Sequence, residues 1–286
     1  MSCDSASDLP QAKENLFAKY EETVVPSFLL HVAVRRFEYS IFRSQSVAKS
    51  VVFNSYRHLK RVVRAFRGRD LWEQRQVNCT ELRLGNKGAQ WCICPDGLSA
   101  SIVIYSFGVG EDISFDLQLI CQFGVHVHAF DPTPKSIEWL SKQSLPENFV
   151  FHDYGIADHD GICVFLPPEN PAYVSHTIVN RRTPGSTIEA PVRRLASIMK
   201  SLGHPKIDLL KMDVEGAEYG VIEDFLNAGI AVGQLLVEFH HRWPEVGIGP
   251  TVEAIKKLNR AGYLIFSVAP DGEEYSFLRV VSEPRL

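Results

Sequence analysis

From Ser101 onward the chain alternates apolar runs with amphipathic stretches, and this rhythm leaves few folds open. SIVIYSF, VHVHAF, NFVFHDYGIA, IDLLKMDV and QLLVEF read as strands, and the shorter ICVFLPP reads as another. SFDLQLICQFG, PTPKSIEWLSKQ, EGAEYGVIEDFLNAG and TVEAIKKLNRAG, which lie between them, read as helices. Apolar runs without alternation belong to strands buried on both faces, and strands alternating with helices make a mostly parallel sheet covered on both sides. YLIFSV and YSFLRVV, joined across Asp271-Gly272, supply the last two strands and leave room for an antiparallel hairpin. The expectation is an α/β, Rossmann-like domain over residues 86–286, with an N-terminal helical extension or cap over 1–85.

The early part differs. Apolar residues recur at three- and four-residue spacing between about Glu14 and Gln76, which predicts helices able to cap the core, cover a cleft or form a homo-oligomer contact. The cluster RVVRAFRGR (61–69) reads as the solvated face of such a helix. A formal charge of −4 gives no global reason to expect nucleic acid or an anionic membrane surface as partner. The apolar stretch at 24–34 is too short to span a bilayer, and the polar opening residues lack the apolar core of a signal peptide, so a cytoplasmic protein is expected. The six cysteines show no C-x-x-C pair; Cys121 and Cys163 read as small buried hydrophobes, and Cys79 and Cys92 flank a hairpin where they could pair.

In an open parallel sheet, ligands bind beyond the carboxyl ends of the strands, and four groups of chemistry-bearing residues fall there. Ser106-Phe107-Gly108-Val109-Gly110-Glu111 forms a tight turn in which two glycines let backbone approach a ligand ahead of a helix. Asp131 follows 21 residues after Gly110; a carboxylate there can accept both ribose hydroxyls of a nucleoside cofactor, or simply cap the next helix. Lys211, Asp213, Glu215 and Glu218 crowd the end of IDLLKMDV, a density of charge that one structural ion pair does not explain. Glu238, His240 and His241 end QLLVEF and face the same crevice.

YSFGVGEDISFD, VHAFDPTP, IDLLKMDVEGAEY and LVEFHHRW together resemble the FkbM-type methyltransferases, whose signature is a strand-end D-x-E-G-x-E; ENPAYVSHTIV, RRLASIM and EEYSFLR are similar to a bacterial branch of that family. The resemblance covers about residues 91–279. It implies a class I methyltransferase fold, a seven-stranded sheet with a reversed last strand, and S-adenosyl-L-methionine as cofactor. Gly108, Gly110 and Glu111 would then line the methionine part, Asp131 the ribose, and residues 153–157, with Asp153, Gly155 and Ile156, the adenine; Ser106 would also belong to the cofactor site. The turn lacks the third glycine of the commonest cofactor loops.

The expected reaction is methyl transfer to a hydroxyl of a sugar, glycan or small-molecule metabolite. Such an enzyme must align the nucleophile with the sulfonium methyl and remove the hydroxyl proton. His240 is the first candidate base and Asp213 the second, with Lys211 beside them; His176, Glu215 and His241 are candidate substrate contacts. A divalent cation held by Asp213, Glu238 and His240 is another way to acidify the hydroxyl. An NAD-linked oxidoreductase or epimerase on a similar sheet, or a non-catalytic module of this fold, are the alternatives; the DVEGAE cluster and the strand-end histidines argue against both.

Overall fold

The computed structural model describes residues 61–65, 68, 70–166 and 187–280. The expected helices before residue 61, His176 and the expected homo-oligomer contact lie outside the described residues.

A short antiparallel hairpin comes first, β1 (Leu82–Leu84) and β2 (Trp91–Ile93). The seven strands of the main sheet are β3 (Val103–Phe107), β4 (His126–Phe130), β5 (Phe149–His152), β9 (Ile207–Met212), β10 (Val232–Glu238), β11 (Tyr263–Val268) and β12 (Glu274–Arg279). Their order is β11-β12-β10-β9-β3-β4-β5, and only β12 runs against its neighbours. This is the seven-stranded, mostly parallel sheet with a reversed last strand, the expected α/β fold class. The chain leaves β3 toward β4 on one side and β9 toward β10 on the other, so the crevice between β3 and β9 is the topological switch point.

Strand alternation sorts the core. Tyr105, Phe107, Leu210, Met212, Leu235 and Val237 face helices α3 (Leu195–Leu202), α4 (Glu218–Asn227) and α5 (Ile248–Arg260). Ile104, Leu209 and Leu236 point the other way, onto α1 (Ser114–Phe123) and the hairpin. Each fully buried leucine contributes about 1.5–3 kcal/mol through area removed from water. Helix α2 (Pro134–Leu140) starts on a proline, which fits the first turn because no backbone donor is needed there.

Two elements were missing from the expected order. Strand β8 (Ile188–Arg193) pairs with β6 (Gly155–Ile156) and β7 (Gly161–Phe165) in a separate three-stranded sheet, and α3 follows it. Pro191 inside IEAPVR disguises a strand, since proline cannot donate to a ladder.

Some surface expectations are corrected. Arg61 is buried, its Nε donating to the Leu71 carbonyl at 3.1 Å and its guanidinium lying 5.2 Å from the Trp72 ring, while Val62 and Val63 face solvent. The long stem of arginine packs well on aromatic surface, so this basic residue serves the core rather than a solvated face. Cys163 is buried as expected, but Cys121 lies on the exposed side of α1. Cys79 and Cys92 are free thiols, and burial together with a hydrogen bond to Cys94 pushes the Cys79 thiol up to about 12.

His128 stacks on His152, with Nδ1 and Nε2 3.1 Å apart, and its ring lies 4.9 Å from that of His204. Burial, then the charges of His152 and His204, push the His128 pKa down from 6.5 to about 4. The unfolded chain therefore takes up this proton first. Stability from the neutral ring is complete above pH 6.5 and is lost as pH falls toward 4. Discounted for partial exposure, the effect is about 2 kcal/mol. Calorimetry between pH 7 and pH 4.5 should show a steeper fall in melting temperature for the natural chain than for His128→Phe; equal slopes would contradict the assignment.

Candidate active site

The switch point opens into a cavity of about 630 Å3, part of it open to solvent. Its first wall is the turn after β3. Gly108 has φ 72°, in the left-handed region, and a Cβ there would run into the Asp213 carbonyl oxygen, so only glycine fits. The turn is held from both neighbours: Gly108 N–H donates to the Phe130 carbonyl at 3.0 Å, and Asp213 N–H to the Phe107 carbonyl at 3.2 Å. Lys211 Nζ donates to the Phe107 and Gly108 carbonyls at 3.2 and 2.9 Å and lies 5.1 Å from the Trp91 ring centroid.

Asp131 ends β4 and is 4% exposed. One carboxylate oxygen accepts the Gly110 N–H at 2.9 Å; the other accepts the Thr133 N–H at 2.9 Å and the Thr133 hydroxyl at 2.6 Å. The carboxylate thereby ties the glycine turn to the start of α2 and remains on the cavity wall. Apolar surface completes that wall. Phe107 and Phe130 stack with centroids 4.3 Å apart, and Ile156, Phe165 and Val214 line the opposite sides. An acidic group beside a flat apolar slot suits a nucleoside, whose sugar hydroxyls need acceptors and whose base needs dry contact.

The loop after β9 makes the other end. Glu215 has φ 50°, which a side-chain-bearing residue adopts at a cost of about 1–3 kcal/mol, and Gly216 follows at φ 102°. This turn aims the Glu215 carboxylate at His240, 3.2 Å from Nε2. Glu218, wholly buried, accepts the Gly216 N–H at 2.8 Å, the His240 backbone N–H at 2.9 Å and His240 Nδ1 at 3.2 Å. Asp213 Oδ1 lies 3.9 Å from His240 Nε2 and is buried with no hydrogen-bond partner among the described residues. Glu238 ends β10 within reach of both, and the ligand atoms of Asp213, Glu238 and His240 all lie within 4.8 Å of one another.

The electrostatics follow from this crowding. Burial opposes protonation of His240, but the hydrogen bonds that its ring donates to Glu215 and Glu218, and their charges, outweigh it and raise its pKa well above 6.5. Burial pushes Asp213 up to about 6 despite the Lys211 charge, and the Asp213 charge followed by burial drives Glu238 well above its ordinary value.

Gly108, Gly110, Asp131, Gly155, Ile156, Asp213 and Glu215 all line the cavity, and His240 stands behind the Asp213–Glu215 loop. Other expected site residues lie elsewhere. Ser106 is buried in the sheet, Asp153 is exposed, and Glu111 pairs with Lys135 at 3.1 Å. Lys211 is turned to backbone carbonyls. His241 is wholly buried and points away, its Nε2 3.1 Å from Asp70 Oδ1. Arg242 binds the same aspartate at 2.7 Å and also reaches Glu273 and the Asp271 carbonyl. Thr133 and Phe165 were not expected as site residues, and Glu218 was expected only as one acid of the strand-end cluster, not as the carboxylate that orients His240; the Asp-Pro-Thr string was the only signal for Thr133, and none marked Phe165.

A sheet of this order, with a glycine turn at the end of its first strand and acids at the ends of its second and fourth strands in chain order around one cavity, fits a methyltransferase-type α/β domain. The model of the methyltransferase FkbM domain matches residues 103–265, and the chain belongs to that family. It is 28% identical over 199 residues to the probable methyltransferase-like protein 24 of Rattus norvegicus, covering 63% of this chain and 49% of that protein. The human protein of the same description is 33% identical over 143 residues, 49% of this chain and 33% of its own length. The hexuronic acid methyltransferase AglP of Haloferax volcanii is 29% identical over 123 residues, 42% of this chain and 50% of that protein. The chain thus spans about half or less of the curated relatives it matches. A crystal structure of methyltransferase FkbM from Methylobacillus flagellatus KT superposes with a TM-score of 0.39 at 14% identity, over 63% of this chain and 44% of that one. Among the described residues, no helix is long and apolar enough to cross a membrane.

Proposed function

We propose that the chain transfers a methyl group from S-adenosyl-L-methionine to a hydroxyl oxygen of a sugar, glycan or small-molecule metabolite. One observation carries this reading: Asp131, joined to Gly110, and the Asp213–Glu215 loop line the same cavity. Asp131 would hold the ribose hydroxyls, Ile156 and Phe165 would pack on the adenine, and the Gly108 turn would hold the methionine end. Asp213 and Glu215 would then border the methyl group, with His240 behind their loop.

Transfer needs the acceptor oxygen in line with the sulfur–methyl bond and a group to take its proton. The sulfonium supplies the methyl and leaves as a neutral thioether, while the hydroxyl proton passes to the acid–histidine cluster as the carbon–oxygen bond forms. Burial strengthens these electrostatic effects, since little water competes. The similarity to the hexuronic acid methyltransferase AglP of Haloferax volcanii favours an acidic sugar among the possible acceptors.

The test is tritiated methyl transfer to a panel of uronic-acid oligosaccharides and neutral glycans. Label should enter at least one acceptor and survive mild alkali, as an ether does. Label released by alkali marks a methyl ester and contradicts hydroxyl transfer; no incorporation into any acceptor contradicts the proposed acceptor class.

A further inference from the structure

We propose that Asp213, Glu238 and His240 form a binding site for one divalent cation of the Mn2+ type, which holds and acidifies the acceptor hydroxyl. This deepens, and rests on, the methyl-transfer reading of the same site. The three side chains come from the ends of two adjacent strands, and their ligand atoms lie within 4.8 Å of one another. Proximity of acids alone would mean little. Two further features point to an ion.

The first is the orientation of the histidine. Glu218 is wholly buried and accepts from His240 Nδ1, from the His240 backbone and from Gly216. A carboxylate behind Nδ1 fixes the ring so that Nε2 is the outward nitrogen, facing Asp213 and Glu215. Metal-bound imidazoles are held this way, with the far N–H donated to a carboxylate. The second is Asp213 Oδ1, buried with no hydrogen-bond partner among the described residues and 3.9 Å from Nε2. A buried carboxylate oxygen without a donor needs one, and among the described residues the cationic side chains Lys211 and Arg242 are engaged elsewhere. Lys211 is bound to the carbonyls of residues 107 and 108, and Arg242 to Asp70 and Glu273.

Two carboxylate oxygens and one imidazole nitrogen suit a borderline-hard divalent ion, and three protein ligands leave positions for other oxygens. The Asp213 end of the set faces the cavity, so an acceptor hydroxyl can complete it. The step then balances. The acceptor oxygen, on the cation, forms the new bond to the methyl carbon as the sulfur–carbon bond breaks toward sulfur. The hydroxyl proton goes to the Glu215 carboxylate, and the cation is unchanged. His240 acts here as a ligand, and Glu218 as the positioning residue behind it.

The experiment titrates Mn2+ into the chelator-treated full chain and reads free Mn2+ by electron paramagnetic resonance, with S-adenosylhomocysteine binding followed on the same sample by thermal shift. One equivalent of Mn2+ should bind, with affinity lowered at least about tenfold in Asp213→Asn and in Glu238→Gln, and about tenfold in Glu218→Gln. Unchanged affinity in folded Asp213→Asn and Glu238→Gln, or no binding to the natural chain, overturns the site. Should both variants fail to fold, the natural chain still decides: its stoichiometry must be one, and dialysis against EDTA must abolish both the bound signal and methyl transfer. S-adenosylhomocysteine binding without Mn2+ binding removes the cation and leaves the methyl-transfer reading. Mn2+ binding without S-adenosylhomocysteine binding does the reverse.

Discussion

Replacing His240 with asparagine is expected to lower methyl transfer by about 10²-fold or more at saturating cofactor, because the ring completes the Asp213–Glu238 set and holds Glu215, the proton acceptor. The ring stands where the two ends of the cluster meet, with Glu218 on Nδ1 and Glu215 and Asp213 on Nε2. Asparagine keeps a donor near the position of Nδ1, so Glu218 need not become a lone buried charge. Alanine would remove that donor too, and stranding a buried carboxylate costs about 3–5 kcal/mol. The comparison separates chemistry from folding. His240→Asn should bind S-adenosylhomocysteine within a few-fold of the natural chain and lose turnover, whereas His240→Ala should also lose melting temperature. Near-normal turnover in His240→Asn would remove the imidazole from the mechanism.

Gly108→Ala is expected to be the most damaging single exchange in the turn. The new methyl group would meet the Asp213 carbonyl, which is backbone and cannot swing aside, in a conformation that L-residues avoid. The left-handed backbone alone costs about 1–2 kcal/mol, and displacing the β9 loop adds to it, for a total of about 3 kcal/mol or more. The damage would also reach the site, because Asp213 N–H donates to Phe107 and Lys211 holds both Phe107 and Gly108. Chemical denaturation and S-adenosylhomocysteine binding should therefore decline together. A variant with normal stability and binding would show that the turn is looser than this packing implies.

What was legible in the sequence lies on the long apolar strands. Their ends locate Gly108, Asp131, Asp213 and His240, because a buried parallel strand can present polar groups only where it runs out into the crevice. Direction was harder to read than position. Lys211 and Asp213 are two apart and share a side in an extended strand, yet the chain turns at Asp213 and the lysine reaches back to carbonyls. His240 and His241 are adjacent, so they point to opposite sides, and only contacts from Glu218 and Asp70 decide which one faces the cluster. Glu218 stood out as one acid of the strand-end cluster, and it accepts the Gly216 N–H close by; its grip on His240 depends on a strand 22 residues away. Side sheet β6-β8-β7 was hidden by Pro191 and by strands too short to carry a period.

The most direct measurement is calorimetric titration of the full chain with S-adenosylhomocysteine and, separately, with NAD, each repeated on Asp131→Ala. Saturable S-adenosylhomocysteine binding at one site is expected, weakened at least about tenfold when Asp131 is lost, since hydrogen bonds to a charged group contribute about 1.5–3 kcal/mol. No comparable binding of NAD is expected. Tight NAD binding with no response to S-adenosylhomocysteine, or S-adenosylhomocysteine binding indifferent to Asp131, would contradict the proposed cofactor site.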